Sequence, residues 1–296
     1  MQIPADFYCS TLSLEGGEPL YGSASDKRVW FLLEYNPPWG AQAFPESNIP
    51  EPVKAHLSAG LSAIPDSNIL MLRQPGRARE GIAFFVVIAD EQAPRLYEFR
   101  LNAYADLLNI DLAAVVNGDQ IYDSNLSQEA LYLVCLNARR DRCCALYGLG
   151  IYNALVPVVG NRVWQCSHIG GHRFAPTGLF FPHGICYGRM NPDHIPSMVE
   201  AYRSGHLSME YLRGRVCYRA PVQAADYLLR ARLGITAIDA LTLIDATAVG
   251  PDLWDIQFAV NGKKHSIRLE KYSTDTEIFT SCNDTKKAIV ADYRLV

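Results

Sequence analysis

Residues 166–178 read CSHIGGHRFAPTG and place two imidazoles, His168 and His172, around an Ile-Gly-Gly spacer. The segment is a poor helix, because each helical glycine costs about 1 kcal/mol relative to alanine. Glycines at Gly170 and Gly171 instead let the backbone take positive φ and wrap closely around something. Upstream, Cys135 and Cys144 are separated by the spacer LNARRDRC. Two thiols and two imidazoles form a soft donor set that suits either zinc or an iron–sulfur cluster. An H-x-x-x-H spacing alone is weak, so the case depends on whether the fold brings the thiols to the histidines.

The surrounding elements predict that it does. ALYLVCLN (130–137) reads as a strand ending on Cys135, and DRCCALYGLGIYNALVP (141–157) as a helix stopping before Pro157. Cys143 and Cys144 fall in its first turn. RVWQCSH and TGLFFPHGICYGRM then bracket the histidine turn as two further strands, and NPDHIPSMVEAYRSG is a helix with Asn191 as N-cap. Neighbouring strand ends meet at one sheet edge, so all four side chains can converge. Strand–helix–strand–strand–helix is the order of a thioredoxin-like unit. Adjacent cysteines point about 100° apart on a helix, so only one of Cys143 and Cys144 faces the site. The helix N-terminus, with Arg139, Arg140 and Arg142, favours thiolate.

The same order is legible in residues 28–118: strands at RVWFLLEY, NILMLRQ, IAFFVVIAD and RLYEFRL, a helix through 50–65, and another through 104–118 ending at Gly118. After a helix at PVQAADYLLRARLG the chain turns β-rich, with a hairpin centred on Asn261-Gly262. The expected fold class is α/β (α+β). The predicted organisation is an N-terminal α/β domain (1–125), a thioredoxin-like domain (126–220), and a helix plus antiparallel β segment (221–296).

Bulk properties narrow the function classes. The 296-residue chain has a net charge of −4, which argues against a nucleic-acid or anionic-membrane partner. The N-terminus has no basic start and no long apolar core, so no signal peptide is predicted. The longest apolar run, 145–160, is short for a membrane span. A cytoplasmic protein is the default expectation, in which the eight cysteines are reduced thiols or metal ligands.

CLNARRDRCC followed by WQCSHIGGHRFAPTGLFFPHGICYGRM resembles the sucrase/ferredoxin-like family, whose C-terminal half is a thioredoxin-like ferredoxin. FYCSTLSLEGGEPLYGSA and VWFLLEYNPPWG are similar to that family's opening, and TEIFTSCNDTKKAIVADYRLV to its ending, so the resemblance spans nearly the whole chain. It implies a 2Fe–2S cluster on Cys135, Cys144, His168 and His172, with the family spacing favouring Cys144 over Cys143. The family's C-[ST]-H-G-x-R-D appears here with Ala138 in place of its glycine. A redox carrier, not a stand-alone enzyme, is then expected. Its partner would be a soluble reductase or acceptor, and a homodimer is left open.

Two other readings stand beside it: a structural Cys2His2 zinc scaffold, and a thiol oxidoreductase using Cys143 and Cys144. Cys166, Cys186 and Cys217 read as small buried hydrophobes. Cys9 and Cys282 match family positions without an assigned chemistry. Arg173 is a surface charge or a residue that tunes the site. His56, His183, His194, His206 and His265 read as structural. The chain contains no GxGxxG, P-loop, nucleophile elbow or paired-carboxylate pattern, so nucleotide cofactors and hydrolysis find no support.

Overall fold

The computed structural model describes residues 7–76, 80–283 and 286–296. Residues 1–6 of the stretch read for a leader, and Asp284-Thr285 within the C-terminal resemblance, lie outside them. A short helix α1 (Cys9–Glu15) precedes β1 (Val29–Glu34), α2 (Glu51–Ala63), β2 (Ser67–Arg73), β3 (Ile82–Ile88), β4 (Arg95–Leu101) and α3 (Leu112–Asn117). Then follow β5 (Leu131–Cys135), α4 (Arg142–Val159), β6 (Val163–Cys166), β7 (Gly178–Phe181), β8 (Ile185–Tyr187), α5 (Ile195–Arg203) and β9 (Leu212–Arg215). The chain ends with α6 (Ala220–Leu233), β10 (Leu241–Gly250), β11 (Leu253–Val260), β12 (Lys263–Phe279) and β13 (Lys287–Leu295).

The first nine strands form one mixed sheet in the order β4-β3-β1-β2-β6-β5-β7-β8-β9. Each unit is a parallel strand pair, β1/β2 or β5/β6, followed by an antiparallel hairpin added to its first strand. The two units are joined where their edge strands meet: β2 pairs antiparallel with β6 through Leu72–Cys166 and Arg73–Gln165. Pairing these edges removes two open strand edges, and both halves gain a continuous core. Trp30, Leu32, Leu70 and Phe85 of the first unit pack with Leu133, Trp164, Leu179 and Phe181 of the second.

Strands β10–β13 form a separate antiparallel sheet. Helix α6 lies between it and β9, with Val222, Ala225 and Leu229 against Leu241, Ile256, Phe258 and Leu269. Asn261 and Gly262 both have positive φ, as a two-residue type I′ hairpin turn requires, so Val260 pairs with Lys263.

Three element boundaries differ from the sequence expectation. Residues 104–118 are a 3-10 turn followed by α3, because Asp111 breaks the run and caps the second piece by accepting from Ala114 N. TGLFFPHGICYGRM is a hairpin of two strands, since Pro182 has no N–H for the ladder and Gly184 turns at φ +65°. Helix α4 passes through Pro157 and stops at Gly160, because a proline in the final turn removes a single intrahelical bond. This helix, with its 3-10 extension to Arg162, is therefore long and apolar enough to cross a membrane by length and composition. Cys143, Cys144, Gly148, Ile151, Tyr152, Leu155 and Val159 form its buried face.

Candidate metal centre

Cys135 ends β5 and Cys144 lies in the first turn of α4, where Asp141 caps the helix by accepting from Cys143 N at 2.9 Å. The close approach of helix to strand depends on Gly148, where a Cβ would stand 2.5 Å from the Cys135 carbonyl oxygen. His168 follows β6, the parallel neighbour of β5. Its Nδ1 lies 3.9 Å from Cys135 Sγ and 3.8 Å from Cys144 Sγ, and these three donor atoms lie within 4.8 Å of one another. Both sulfurs are buried. Donation from the Cys144 thiol holds Cys135 well below the ordinary cysteine range against the effect of burial, and His168 adds to this. The same contact, with burial, pushes Cys144 up. The two buried sulfurs and the imidazole nitrogen between them form a place a cation would fill by displacing thiol protons.

His172 lies just beyond the turn, with its ring centroid 5.3 Å from that of His168. Its Nε2 is 2.6 Å from the Thr280 carbonyl oxygen on the C-terminal sheet segment, so Nε2 carries the hydrogen and Nδ1 the bare lone pair. That Nδ1 is buried and makes no hydrogen bond among the described residues. Burial lowers the His172 pKa and the nearby Asp141 carboxylate, 3.7 Å from Nε2, opposes the shift. A neutral imidazole with a buried, unpartnered nitrogen calls for an electrophile that the described residues do not provide.

The turn between the histidines is held from outside. Gly170 and Gly171 have φ of +109° and +69°. Fully buried Arg213 donates through Nη1 to the Gly170 carbonyl at 3.0 Å, through Nε to Ser23 Oγ, and through Nη2 to the Ser23 carbonyl. A Cβ on Gly171 would lie 2.2 Å from Arg213 Nη2. Arg173 is tied to Glu18 by a 2.7 Å ion pair, and its guanidinium stacks on Phe174.

All four sequence-selected residues lie around one locus: Cys135, Cys144 and His168 in mutual contact, and His172 as the neighbouring ring. Cys143 points elsewhere, into a cluster with Cys9 and Cys282. Arg139 and Arg140 are exposed, whereas Arg142 donates to the Phe7 carbonyl at 2.6 Å and stacks on Tyr8. Cys166 and Cys186 are fully buried and Cys217 is half-buried. His56, His183, His194 and His206 bond to Ile110 O, Tyr202 OH, Tyr211 OH and Thr236 Oγ1, as structural histidines do. His265 sits in β12 opposite Phe258. Sequence reasoning missed Asp141, Thr280 and Arg213. Asp141 had a legible signal as the N-cap before a helix. Thr280 and Arg213 act through backbone carbonyls or long-range packing and carry no local pattern.

Comparison with known proteins places these residues in a family. The sucrase/ferredoxin-like family model matches residues 20–214, which covers β1 through most of β9 and leaves both chain ends outside. A curated relative, altered inheritance of mitochondria protein 32 from Candida glabrata, is 27% identical over 112 residues, 32% of this chain. The match spans about a third of that protein's own length, 36%. No solved structure matches. The chain belongs to the sucrase/ferredoxin-like family.

Proposed function

We propose that the chain is an electron-transfer protein that holds a 2Fe–2S cluster on Cys135, Cys144, His168 and His172. The observation that carries this reading is the His172 ring. Its Nε2–H is committed to the Thr280 carbonyl, and its buried Nδ1 has no partner among the described residues, while its ring neighbours that of His168, which touches both thiols. The donor set, two sulfurs and two neutral nitrogens, fits the group that family membership implies.

When bound, the cluster supplies one-electron storage, at about −150 to +300 mV for mixed imidazole–thiolate Rieske centres against about −400 mV for all-thiolate plant-type ones. The protein's own groups set the rest. Thr280 fixes the His172 tautomer, as outer-sphere acceptors do for ligating imidazoles. Arg213 holds the turn at Gly170 and thereby the separation of the two rings. Burial of Cys135 and Cys144 excludes water from the sulfurs, and half-buried His168 and His172 form the more exposed side of the site. Exposed Arg139 and Arg140, on the loop between the two cysteines, supply positive charge for an acidic soluble reductase or acceptor. Electrons arrive from that partner and not directly from a nicotinamide. The eight cysteines fit a reducing compartment such as the cytoplasm.

The ligand assignment is tested by iron content in two adjacent variants. Cys144→Ser is expected to lose most bound iron while Cys143→Ser retains it. The converse result reverses the assignment, and full retention in both removes α4 from the site.

A further inference from the structure

Next to the first site is a second group of soft donors drawn from three distant parts of the chain. Cys9 opens α1, Cys143 lies in the first turn of α4, and Cys282 sits between β12 and β13. Cys143 Sγ is 3.7 Å from Cys9 Sγ and 3.2 Å from Cys282 Sγ. Both separations are far beyond a disulfide bond of about 2.05 Å. Two sulfurs on one tetrahedral zinc, each about 2.3 Å from the metal, stand about 3.8 Å apart. The fully buried Asp141 carboxylate lies 3.9 Å from Cys9 Sγ through either oxygen, and the four donor atoms lie within 4.8 Å of one another.

Hydrogen bonds directed at the sulfurs point the same way. Ser10 Oγ donates to Cys143 Sγ at 3.3 Å, and the Cys9 backbone N–H donates to Cys282 Sγ at 3.2 Å. Donors aimed at sulfur favour thiolate, and outer-sphere donors of this kind orient metal-bound thiolates. Asp141 is held by Cys143 N, Cys282 N and Ser281 Oγ, so its position is fixed by two of the same three segments. Two buried thiols and a half-buried one beside a buried carboxylate would repel one another once ionised, which a divalent cation relieves.

We propose that Cys9, Cys143 and Cys282, with Asp141 as fourth donor, form a structural zinc site that fastens α1 and the β12–β13 connection to the start of α4. Closed four-donor sites of sulfur and oxygen suit zinc, and such sites contribute directly to folding. The site lies outside the iron ligand set and does not rest on it. The two sites meet at the adjacent Cys143 and Cys144 and at Asp141, whose Oδ2 is 3.7 Å from His172 Nε2.

The test is elemental analysis of the full chain purified anaerobically, wild type beside Cys282→Ser and Cys135→Ser. Wild type is expected to carry about one zinc per chain. Cys282→Ser should lose it by more than about tenfold while keeping its iron, and Cys135→Ser should lose iron and keep zinc. Zinc in a colourless wild-type protein that disappears in Cys282→Ser supports this site even though the iron reading fails. Cobalt substitution adds a second reading: thiolate-to-cobalt charge-transfer bands of a tetrahedral centre, present in wild type and equally in Cys135→Ser. The proposal is overturned if wild type holds no zinc and takes up no cobalt, or if native mass spectrometry finds a Cys143–Cys282 or Cys9–Cys143 disulfide.

Discussion

Helix α4 carries two glycines, Gly148 and Gly150, and alanine at each should have opposite effects. On helix propensity alone, either change gains about 1 kcal/mol. At Gly150, on the exposed face, the nearest atom to a new Cβ is Pro192 Cγ at 3.7 Å, an ordinary contact, so Gly150→Ala should stabilise by up to about 1 kcal/mol. At Gly148 the new Cβ would be 2.5 Å from the Cys135 carbonyl oxygen and 3.2 Å from Leu136 Cδ1. The first of these is backbone and cannot rotate away, so the start of α4 must move from β5 by nearly an ångström. Overpacking of this kind costs about 1–3 kcal/mol, and subtracting the propensity gain leaves a net loss of up to about 2 kcal/mol. At about 2–4 °C per kcal/mol, thermal unfolding should fall by several degrees in Gly148→Ala and rise slightly in Gly150→Ala. The displacement also separates Cys144 from Cys135, so Gly148→Ala should retain less iron at equal expression, with Gly150→Ala unchanged. Differential scanning fluorimetry and iron analysis on the pair are sufficient. A Gly148→Ala protein as stable as Gly150→Ala, with full iron, would refute the claim that this contact sets the cysteine spacing.

Gly171→Ala places a side chain at φ +69° against Arg213, so it should lower iron retention more than Gly160→Ala, a control at φ +60° with open space around its Cβ. Converting His168 and His172 together to cysteine should lower the midpoint potential by roughly 250 mV or more, towards the all-thiolate range, as potentiometry would read. Burial lowers the His183 pKa below 6.5, with Arg215 assisting. Between that lowered pKa and the unfolded value the unfolded chain binds more protons, so stability falls as pH drops below about 6.5. Chemical denaturation from pH 7.5 to 5 should show that slope, and His183→Gln should reduce it. Reversing Arg139 and Arg140 to glutamate should slow reduction by an acidic soluble partner and weaken the salt dependence of that rate; unchanged stopped-flow rates would remove the loop as a docking patch.

Much of this architecture is legible in the sequence because local signals agree with the fold. The apolar runs at 29–34, 82–88 and 131–135 are strands buried along their whole length, save for Ile82 at the start of the second. Asn261-Gly262 forms the turn its residues demand. The candidate site is legible for the same reason: Cys135 at a strand end, Cys144 in a helix start and His168 after a parallel neighbouring strand must share an edge. The pairing of β2 with β6 is not legible, because Leu72 and Cys166 are ninety-four positions apart and edge pairing leaves no periodic trace. Nor is the meeting of Cys9, Cys143 and Cys282, which depends on both chain ends returning to α4. Vicinal cysteines on a helix implied that only one of them faces the site. Their divergence on the helix instead serves two different clusters, Cys144 facing His168 and Cys143 facing Cys9 and Cys282.

The central claim is most directly tested by iron and acid-labile sulfide analysis of anaerobically purified protein, with its visible absorption recorded on the same sample. The account predicts a brown protein with about two irons and two sulfides per chain, all lost in Cys135→Ser. A colourless protein whose Cys135–Cys144–His168–His172 locus holds only zinc, recognised as zinc that disappears in Cys135→Ser, would contradict it.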